Sequence, residues 1–372
     1  MLKKWSDVLT IVSGKNQKLV TDPNGRYPIY GSGGVMGYAR SYLCEAGTTI
    51  VGRKGTINNP IFVNEPFWNV DTAFGISPGD ELHPKYLYYF CCSFNFKELD
   101  KSTTIPSLAK RDLLQIQMPV PPLNEQERIV SKIEELFSKL DASVAELQTA
   151  KEKLKVYRQA VLKEALEGDY PCVRLKEIAT AFSGYAFKSK KYSSDGRYVV
   201  VKIGNVKPFR FDFSRDLTKT SEIDDNILNK YLLKKGDCLI TMTGSRGKRD
   251  YGYVAMIEDQ DNYLLNQRVS ALRFNDSVAL PKFYEYVLSS PQYRNQFFSY
   301  ETGNVGQGNV GIKALTEPTV ICPTLKIQEA IIQSIEFRLS LCDSIEQSID
   351  TSLQQAETLR QSILKQAFEG RL

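Results

Sequence analysis

The sequence of 372 residues predicts an α+β fold in which two α/β domains are separated by a long antiparallel two-helix coiled coil. Three observations predict it: one helical segment occurs twice, each copy carries an apolar heptad stripe, and the blocks before the copies are diverged relatives. Such a duplication predicts a pseudo-two-fold, nearly circular repeat. The predicted domains are residues 1–118 and 169–318, and the predicted helices are residues 119–168 and 319–372.

The repeated segment occurs first at Pro121–Gly168 and again at Pro323–Gly370, and the two copies align at a constant offset without a gap. Both copies contain Gln-Glu near the start and end in Leu-Lys-x-Ala-x-Glu-Gly. Proline just before a helix and glycine just after it are ordinary start and stop signals. A helix repeated in this way suits a two-fold partner, and duplex DNA is the commonest one.

Each copy has apolar residues at seven-residue spacing, the pattern of a coiled-coil seam. The stripe consists of Ile133, Leu140, Leu147, Leu154 and Val161 in the first copy and Ile335, Cys342, Ile349, Ala356 and Ile363 in the second. We expect the alternate seam positions to be filled by Leu136, Ala150, Tyr157, Ile345 and Leu359. A long core helix is the alternative, but five positions in register exceed an ordinary globular helix.

Length predicts the direction of the two helices. A helix of about 44 residues is roughly 65 Å long, whereas a block of about 150 residues is only about 40 Å across. The block between the helices therefore spans their ends more easily if the helices run antiparallel. The chain ends are then expected close together.

The two blocks have the same predicted order of elements. Thr48–Phe74 and Asp237–Phe274 each indicate a strand, a glycine-rich basic turn and further strands. Pro84 and Pro281 each precede aromatic residues and are expected to open a helix. We therefore expect a mixed or antiparallel sheet in each block.

Charge and composition narrow the function classes. The two blocks carry net charges of +3 and +5, and the two helical segments carry −1 and −2, as expected if the domains face phosphates and the helices face proteins. Seven scattered cysteines without a Cys-x-x-Cys pair indicate reduced thiols and argue against a zinc site. The N-terminus lacks the apolar core of a signal peptide and no apolar run is long enough to cross a membrane, which predicts a cytoplasmic protein.

An enzyme is poorly supported by these residues. His83 is the only histidine, which excludes a histidine base or a multi-histidine metal site. Gly31–Gly37 lacks the dinucleotide-binding spacing, and Ile61 breaks the Asn-Pro-Pro-aromatic motif of amino-group DNA methyltransferases. We predict no catalytic residue, no metal and no cofactor on this chain. A protein-only scaffold and a methyltransferase with an unrecognised site remain the alternatives.

Two glycine turns are better candidates for binding. Arginine and lysine hold phosphates or read guanine edges, asparagine and glutamine pair with adenine, and glycine admits close approach. The turn candidates are Arg53, Lys54, Thr56 and Asn58 in the first block and Ser245, Arg246, Lys248 and Arg249 in the second. Further candidates are Lys15, Asn16, Gln17, Lys101, Lys110 and Arg111, then Lys188, Lys190 and Lys191, and finally Asn304, Gln307 and Asn309. For each single residue the alternative is a solvated loop side chain.

The chain as a whole resembles the DNA specificity (S) subunit of type I restriction-modification systems. The resemblance rests on the Pro-Pro-Leu-Asn-Glu-Gln-Glu-Arg run at Pro121–Arg128, its echo at Pro323–Glu329 and the two matching helix ends. Gly31–Tyr38, Gly52–Thr56 and Gly306–Asn309 also look like that family. One departure is Lys326-Ile327, where the first copy has Asn124-Glu125.

The resemblance implies that residues 1–118 and 169–318 are target-recognition domains, each reading one half of a bipartite site in double-stranded DNA. It also implies that the helices space these domains and dock two methyltransferase (M) subunits, which bind S-adenosylmethionine and methylate adenine N6. Motor-nuclease (R) subunits would join for restriction, and this chain would have no activity of its own. Candidate partner surfaces on the exposed outer helix faces are Glu134, Glu135, Gln328 and Arg338.

Overall fold

The computed structural model describes residues 1–214, 216–221, 223–259, 262–303 and 306–372. The chain divides into two compact units. Unit 1 contains Met1–Ala150 and Ser348–Leu372, and unit 2 contains Lys151–Gln347. Each unit therefore holds part of both long helices. Within the described ranges, no helix combines the length and apolar character needed to span a membrane.

We call the part of each unit that lies outside the two long helices its head. The head of unit 1 begins with short strands and ends where the first long helix begins. Its strands are β1 (Leu2–Lys4), β2 (Leu9–Ser13), β3 (Tyr27–Gly31), β4 (Gly34–Ala39), β5 (Thr48–Gly52), β6 (Ile61–Val63), β7 (Trp68–Asn69), β8 (Ala73–Pro78) and β9 (Gln117–Pro119). Its helices are α1 (Trp5–Val8), α2 (Pro84–Ser93), a 3₁₀ turn (Phe96–Leu99), α3 (Lys110–Leu113) and α4 (Leu123–Ala165), of which α4 continues into unit 2.

Unit 2 repeats this order with more strands. Its strands are β10 (Cys172–Arg174), β11 (Ala179–Ser183), β12 (Tyr192–Ser193), β13 (Tyr198–Val201), β14 (Val206–Lys207), β15 (Arg210–Phe211), β16 (Lys219–Thr220), β17 (Cys238–Thr241), β18 (Thr243–Gly244), β19 (Val254–Met256), β20 (Tyr263–Leu265), β21 (Val269–Phe274), β22 (Glu301–Thr302), β23 (Gly308–Val310) and β24 (Thr319–Ile321). Its helices are α5 (Leu175–Ile178), α6 (Asp225–Tyr231), α7 (Pro281–Ser289), α8 (Pro291–Ser299), α9 (Lys313–Thr316) and α10 (Leu325–Phe368), with 3₁₀ turns at Ser189–Lys191 and Ile203–Asn205.

The two units share the topology of one four-stranded antiparallel sheet. Its strand order is β2-β8-β5-β6 in unit 1 and β11-β21-β17-β19 in unit 2. In each unit the strand that opens the head pairs antiparallel with the strand that precedes a long helix, as β1 with β9 and β10 with β24. Smaller sheets add parallel pairs, β3 with β7 and β13 with β20. The predictions of a strand-turn-strand order and of helices opening at Pro84 and Pro281 are confirmed.

Each head shares a hydrophobic core with the helices beside it. The core of unit 1 includes Ile133 and Phe137 of α4 and Leu364 of α10 together with the head residue Trp5. The core of unit 2 includes Ile335 of α10, with residues near the end of α4 packed against it. Burying each large apolar side chain contributes about 1.5–3 kcal/mol. The long helices are therefore fixed to the heads by packing.

The two long helices run antiparallel within each unit. In unit 1, Arg360 of α10 pairs with Asp141 of α4. In unit 2, Arg158 of α4 pairs with Asp343 of α10 at 2.7 Å. In the sequence repeat, Asp141 matches Asp343 and Arg158 matches Arg360. Each unit therefore contains the same arginine–aspartate pair, but the arginine lies on α10 in unit 1 and on α4 in unit 2.

The predicted heptad stripe is buried or half-buried along both helices. Of the five predicted alternate seam positions, Leu136 is half-buried against the core of unit 1, whereas the prediction is wrong for the other four. Ala150 is exposed, and Tyr157, Ile345 and Leu359 are 43%, 42% and 51% exposed. The second row of the seam lies four residues after the stripe instead of three. In α4 it consists of Phe137, Val144, Lys151 and Arg158. The interval between seam residues in a heptad alternates between three and four. The polar members of this row do not belong to the apolar pattern of the sequence, and each forms an ion pair with the facing helix.

Candidate nucleic-acid interface

Four segments of unit 1 lie together at one end of its four-stranded sheet. Strands β2 and β5 run antiparallel to β8, so the ends of β2 and β5 meet the start of β8. We call these segments, residues 14–17, 52–58, 69–72 and 102–108, loop cluster 1. The first two segments contain residues that the sequence predicts as DNA contacts, whereas the third is short and not basic and carries no such signal.

Backbone hydrogen bonds hold loop cluster 1 together. The Lys15 N–H donates to the Asn69 carbonyl at 3.0 Å, and the Arg53 N–H donates to the Thr72 carbonyl at 2.8 Å. The Gly55 N–H donates to the Pro106 carbonyl at 2.9 Å. Gly55 has a φ of 82°, a left-handed conformation that favours glycine. The basic turn is therefore held in place by main-chain atoms, which leaves its side chains available.

Unit 2 contains the same arrangement. The Gln267 N–H donates to the Tyr185 carbonyl at 2.9 Å, and the Met242 N–H donates to the Arg268 carbonyl at 2.9 Å. The Val310 N–H donates to the Met242 carbonyl at 3.0 Å. We call residues 184–191, 242–249, 266–268, 303 and 306–311 loop cluster 2. Within each unit, the loops that were predicted separately from the sequence thus lie side by side.

Most cationic candidates of loop cluster 1 are exposed. Lys15, Lys54 and Thr56 are exposed, and Gln17 is half-buried. Arg53 is half-buried, with its Nη1 atom 3.4 Å from the Asp71 carbonyl. These side chains can reach a polyanion without first breaking a strong internal bond.

Three other candidates of unit 1 already have internal roles. The Lys110 ammonium donates to the Ile11 carbonyl at 2.7 Å, and the Asn58 Oδ1 atom accepts from the Phe96 N–H at 2.8 Å. The Asn16 Oδ1 atom accepts from the Lys18 N–H at 2.9 Å, which closes a turn. These residues shape the loops, and their contact with DNA stays a prediction.

Two neighbouring cations outside the main turn share one carboxylate. Lys101 donates to Asp112 at 3.0 Å, and Arg111 lies 3.5 Å from the same carboxylate. The Lys101 ammonium holds the pKa of Asp112 below its ordinary value. The Arg111 side chain is 84% exposed, so it keeps most of its surface free for an anion.

The basic turn of loop cluster 2 is tied to its neighbours by side chains. Arg246 donates through Nη1 to the Gly303 carbonyl at 2.6 Å, which links the turn to the glycine-rich segment. Arg249 donates to Asn295 at 3.1 Å, and its guanidinium lies 5.1 Å from the ring centroid of Phe298. The Ser245 N–H donates to Asp250 at 2.7 Å and holds the pKa of that carboxyl below its ordinary value. Lys248 is exposed.

The remaining candidates of unit 2 lie on the same loops. Lys188, Lys190 and Lys191 are exposed at the 3₁₀ turn, and Lys188 and Lys191 line a cavity of about 160 Å³ beside Tyr185. Gln307 and Asn309 are exposed. Asn304 lies outside the described residues.

Sequence reasoning missed two arginines at loop cluster 2. Arg268 is exposed and has a φ of 70°, a conformation that is uncommon for a residue with a side chain. Arg294 donates to the carbonyls of Gly252, Arg249 and Tyr251 at 2.6, 3.0 and 3.1 Å. Burial lowers the pKa of Arg294, but an arginine stays charged. Neither arginine lies in a glycine turn. The sequence indicates Arg268 only by its position just before the last strand of the sheet.

Three of the four predicted partner-surface residues are buried or half-buried, which corrects the prediction that all four lie on exposed outer faces. Gln328 is 0% exposed and hydrogen-bonded on all sides. Arg338 donates to Glu164 at 2.8 Å across to the facing helix. Glu134 is half-buried and accepts from Lys85 at 2.6 Å. A sequence shows that a residue is polar but not whether a neighbouring segment covers it.

Glu135 is the exposed member of this set. It accepts from Lys132 at 2.9 Å and from Lys139 at 2.6 Å on the same helix. The lysine ammonium groups, Lys139 first, lower its pKa to about 2. A partner that contacts this face meets a charged carboxylate between two cations.

The two units share one sheet topology, and each carries a basic loop cluster at the same end of that sheet. The family model of the type I restriction modification DNA specificity domain matches residues 1–152 and 167–355. The chain therefore belongs to this family.

Three relatives extend the comparison. The chain is 27% identical over 275 residues to the EcoKI specificity subunit of Escherichia coli K12, covering 69% of this chain and 58% of that protein. It is 23% identical over 353 residues to the EcoBI specificity subunit of Escherichia coli, covering 87% of this chain and 73% of that protein. It is 24% identical over 349 residues to the MjaVIII specificity subunit of Methanocaldococcus jannaschii, covering 88% and 77%.

Solved structures support the fold. A chain from a structural study of complex assembly and conformational transition in a type I R-M system aligns with a TM-score of 0.74 and 17% identity, covering 100% of this chain and 98% of that one. The HsdS subunit of Thermoanaerobacter tengcongensis aligns with a TM-score of 0.62 and 17% identity, covering 100% and 97%. At this identity the likeness concerns the fold alone.

Proposed function

We propose that this chain is the DNA sequence-specificity subunit of a type I restriction-modification complex. Each head reads one half of a bipartite site in double-stranded DNA, and the long helices set the gap between the halves. Loop cluster 1 reads one half-site and loop cluster 2 reads the other. The chain works in the cytoplasm and contributes recognition, while the chemistry takes place on its partners.

The observation that carries this proposal is the duplicated loop cluster. Both clusters occur at the same sheet end, are held together by main-chain hydrogen bonds and present basic side chains such as Arg53 and Arg246. Lysine and arginine supply the salt-dependent affinity for phosphates, and a few side chains that reach base edges supply the specificity. Two such clusters in one chain suit a site with two halves.

Membership of the family supports a proposal for the partners. We propose that two methyltransferase subunits dock on the helical segments and methylate adenine N6, one in each half-site. S-adenosylmethionine binds to those subunits, and motor-nuclease subunits join for restriction. The outer helix face around Glu135 mixes charges of both signs, so it lacks the concentrated positive charge that would attract DNA.

Methylome sequencing tests the proposal. A host that lacks the system expresses this chain with its methyltransferase, and a second host expresses the methyltransferase alone. We expect a bipartite motif with methyladenine in both halves only when this chain is present. Its absence despite a stable complex would favour a protein-only scaffold, and S-adenosylmethionine binding by the isolated chain would favour a methyltransferase.

A further inference from the structure

A buried glutamine joins each head to its long helix. Gln126 is the fourth residue of α4 and Gln328 is the fourth residue of α10. Both are 0% exposed. An uncharged amide without a bonding partner costs free energy when it is buried, so two fully buried glutamines at matching positions call for a physical reason.

The amide of Gln126 connects three segments of unit 1. Its Oε1 atom accepts from the His83 N–H at 2.8 Å, and its Nε2 atom donates to the Glu81 carbonyl at 2.8 Å and to the Pro121 carbonyl at 2.8 Å. Glu81 and His83 belong to the loop that leads into α2, and Pro121 leads into α4. Both amide protons are used.

Gln328 makes the same three bonds in unit 2. Its Oε1 atom accepts from the Leu280 N–H at 2.8 Å, and its Nε2 atom donates to the Val278 and Pro323 carbonyls, each at 2.8 Å. In both units the glutamine bonds a carbonyl and the N–H two residues later, just before the proline that opens a helix.

Among the residues that the structure describes, the bonds of both glutamines end only on main-chain atoms. The head residues that supply those atoms are Glu81 and His83 in one unit and Val278 and Leu280 in the other, so their side chains have no resemblance. A contact that uses only the backbone is independent of the head's sequence. It can therefore hold two diverged heads on their helices by the same geometry.

A tyrosine adds a second bond at each junction. The Tyr86 hydroxyl donates to the Pro119 carbonyl at 3.0 Å, and the Tyr284 hydroxyl donates to the Ile321 carbonyl at 3.2 Å. The accepting residues occupy matching places in the strands before the long helices, although the tyrosine is one position further along α7 than along α2. The accepting carbonyl thus has the same place in both units, whereas the donating tyrosine stands at different positions of the two helices.

We propose that Gln126 and Gln328 are positioning residues that fix the orientation of each head on its helix and thereby restrict the complex to one gap length between the half-sites. The inference rests on the proposed function, because a gap exists only if the chain reads two half-sites. An amide bonded on three sides resists rotation of the head in a way that apolar packing alone does not, since packing lacks direction.

The test uses the whole complex with the variants Gln126→Met and Gln328→Met. Methionine has a similar volume and cannot form these bonds. The substrate is a DNA library that carries the two half-sites found by methylome sequencing, with gaps of the native length and of one or two base pairs more or less. The exposed Gln148→Met is the matched control.

We expect each variant to keep both half-site sequences and to lose selectivity for the gap. Methylation at the native gap relative to neighbouring gaps falls by on the order of tenfold, since unpaired buried backbone groups make the native orientation less favoured. A purely structural role would lower methylation equally at every gap. Unchanged gap selectivity in folded variants overturns the proposal.

Tyr86→Phe provides a milder variant if the glutamine variants do not fold. It removes one hydroxyl from the junction of unit 1 and keeps the ring in the core. We expect a smaller loss of gap selectivity in the same direction, and its absence counts against the proposal. If the wild-type complex produces no bipartite motif, the proposed function fails, whatever the variants do.

Discussion

The two units have the same sheet topology and the same helix junction, but one side-chain pair inside the sheet differs in its chemistry. In unit 1, Thr48 and Ser77 face each other across β5 and β8, and their hydroxyls lie 2.9 Å apart. At the matching position in unit 2, Asp237 accepts two hydrogen bonds from Arg273 at 2.7 and 2.6 Å. A neutral pair has been replaced by an ion pair.

This difference separates two kinds of constraint. The junction glutamines bond main-chain atoms and are identical in the two units, whereas the pairs inside the sheets bond side chain to side chain and have diverged together. Side-chain partners can change if both change at once, because a buried group needs only some matching partner. A main-chain partner cannot change its chemistry, so the residue that bonds it is preserved.

The largest expected effect is on the stability of unit 2. Asp237→Ala leaves the Lys234 N–H and the Arg273 guanidinium without their acceptor, and we expect a loss of about 3 kcal/mol. Thr48→Ala removes one neutral hydrogen bond from unit 1 and is expected to cost about 1 kcal/mol.

Hydrogen exchange resolved by peptide measures the two units separately. Faster exchange should be confined to the unit that carries the substitution, and the exposed Asp276→Ala serves as the control. Equal losses from Asp237→Ala and Thr48→Ala would show that the ion pair adds nothing beyond a neutral pair.

DNA recognition gives the next largest expected effect. Arg53→Ala and Arg246→Ala should each weaken binding of the specific site by about 1–3 kcal/mol if the residue reads a base, and each should relax only its own half of the motif. Arg246 also holds Gly303, so its removal is expected to be the more damaging. Binding is measured at several salt concentrations in the complex with the methyltransferase.

The exposed Arg26→Ala, outside loop cluster 1, is the control for charge alone. Uniform weakening across all sequences would assign Arg53 or Arg246 to phosphate contact. Affinity that stays at the wild-type value would remove that residue from the interface.

How much the sequence could predict differs between helices and loops. The repeat and the seven-residue stripe predicted both long helices, because periodicity reports directly which face is buried. The second seam row was missed because Lys151 and Arg158 are polar, and only the facing helix with Asp343 and Glu346 explains their place. Polar pairs between segments distant in sequence leave no periodic signal.

The binding loops were predicted as separate segments but not as an assembly. Glycine and cations in one turn are visible in a sequence, so Arg53 and Arg246 were selected. The segments before β8 and β21 complete the clusters through main-chain bonds, and main-chain bonds are invisible in a sequence. For the same reason, Gln328 was predicted from the sequence to lie on an exposed face. In the structure it is covered by the segments whose main-chain carbonyls accept its hydrogen bonds.

The arginine pairs between the helices are expected to have smaller effects. Arg158 bonds Asp343 at 2.7 Å and Glu346 at 3.0 Å, whereas Arg360 bonds Asp141 and also stacks 4.4 Å from the ring centroid of Phe137. Alanine at either arginine should cost roughly 0.5–1 kcal/mol.

Salt distinguishes the two arginines. Raising the salt concentration screens ion pairs more than ring stacking, so the cost of Arg158→Ala should shrink more than the cost of Arg360→Ala. Denaturant unfolding at low and high salt measures both. A parallel decline would mean that the ring of Phe137 contributes no independent stabilisation.

The smallest expected effect concerns one exposed carboxylate at a position where the repeats differ completely. Glu135 of the first repeat corresponds to Phe337 of the second, and Lys139 and Lys132 lower the pKa of Glu135 to about 2. Because this pKa lies below the ordinary glutamate value, the stabilisation is complete above that value and is lost as the pH falls towards 2. A carboxyl-detected NMR titration measures the pKa. Lys139→Ala should raise it, and Lys97→Ala should not. A glutamate that titrates in its ordinary range would mean that solvent screens both lysines.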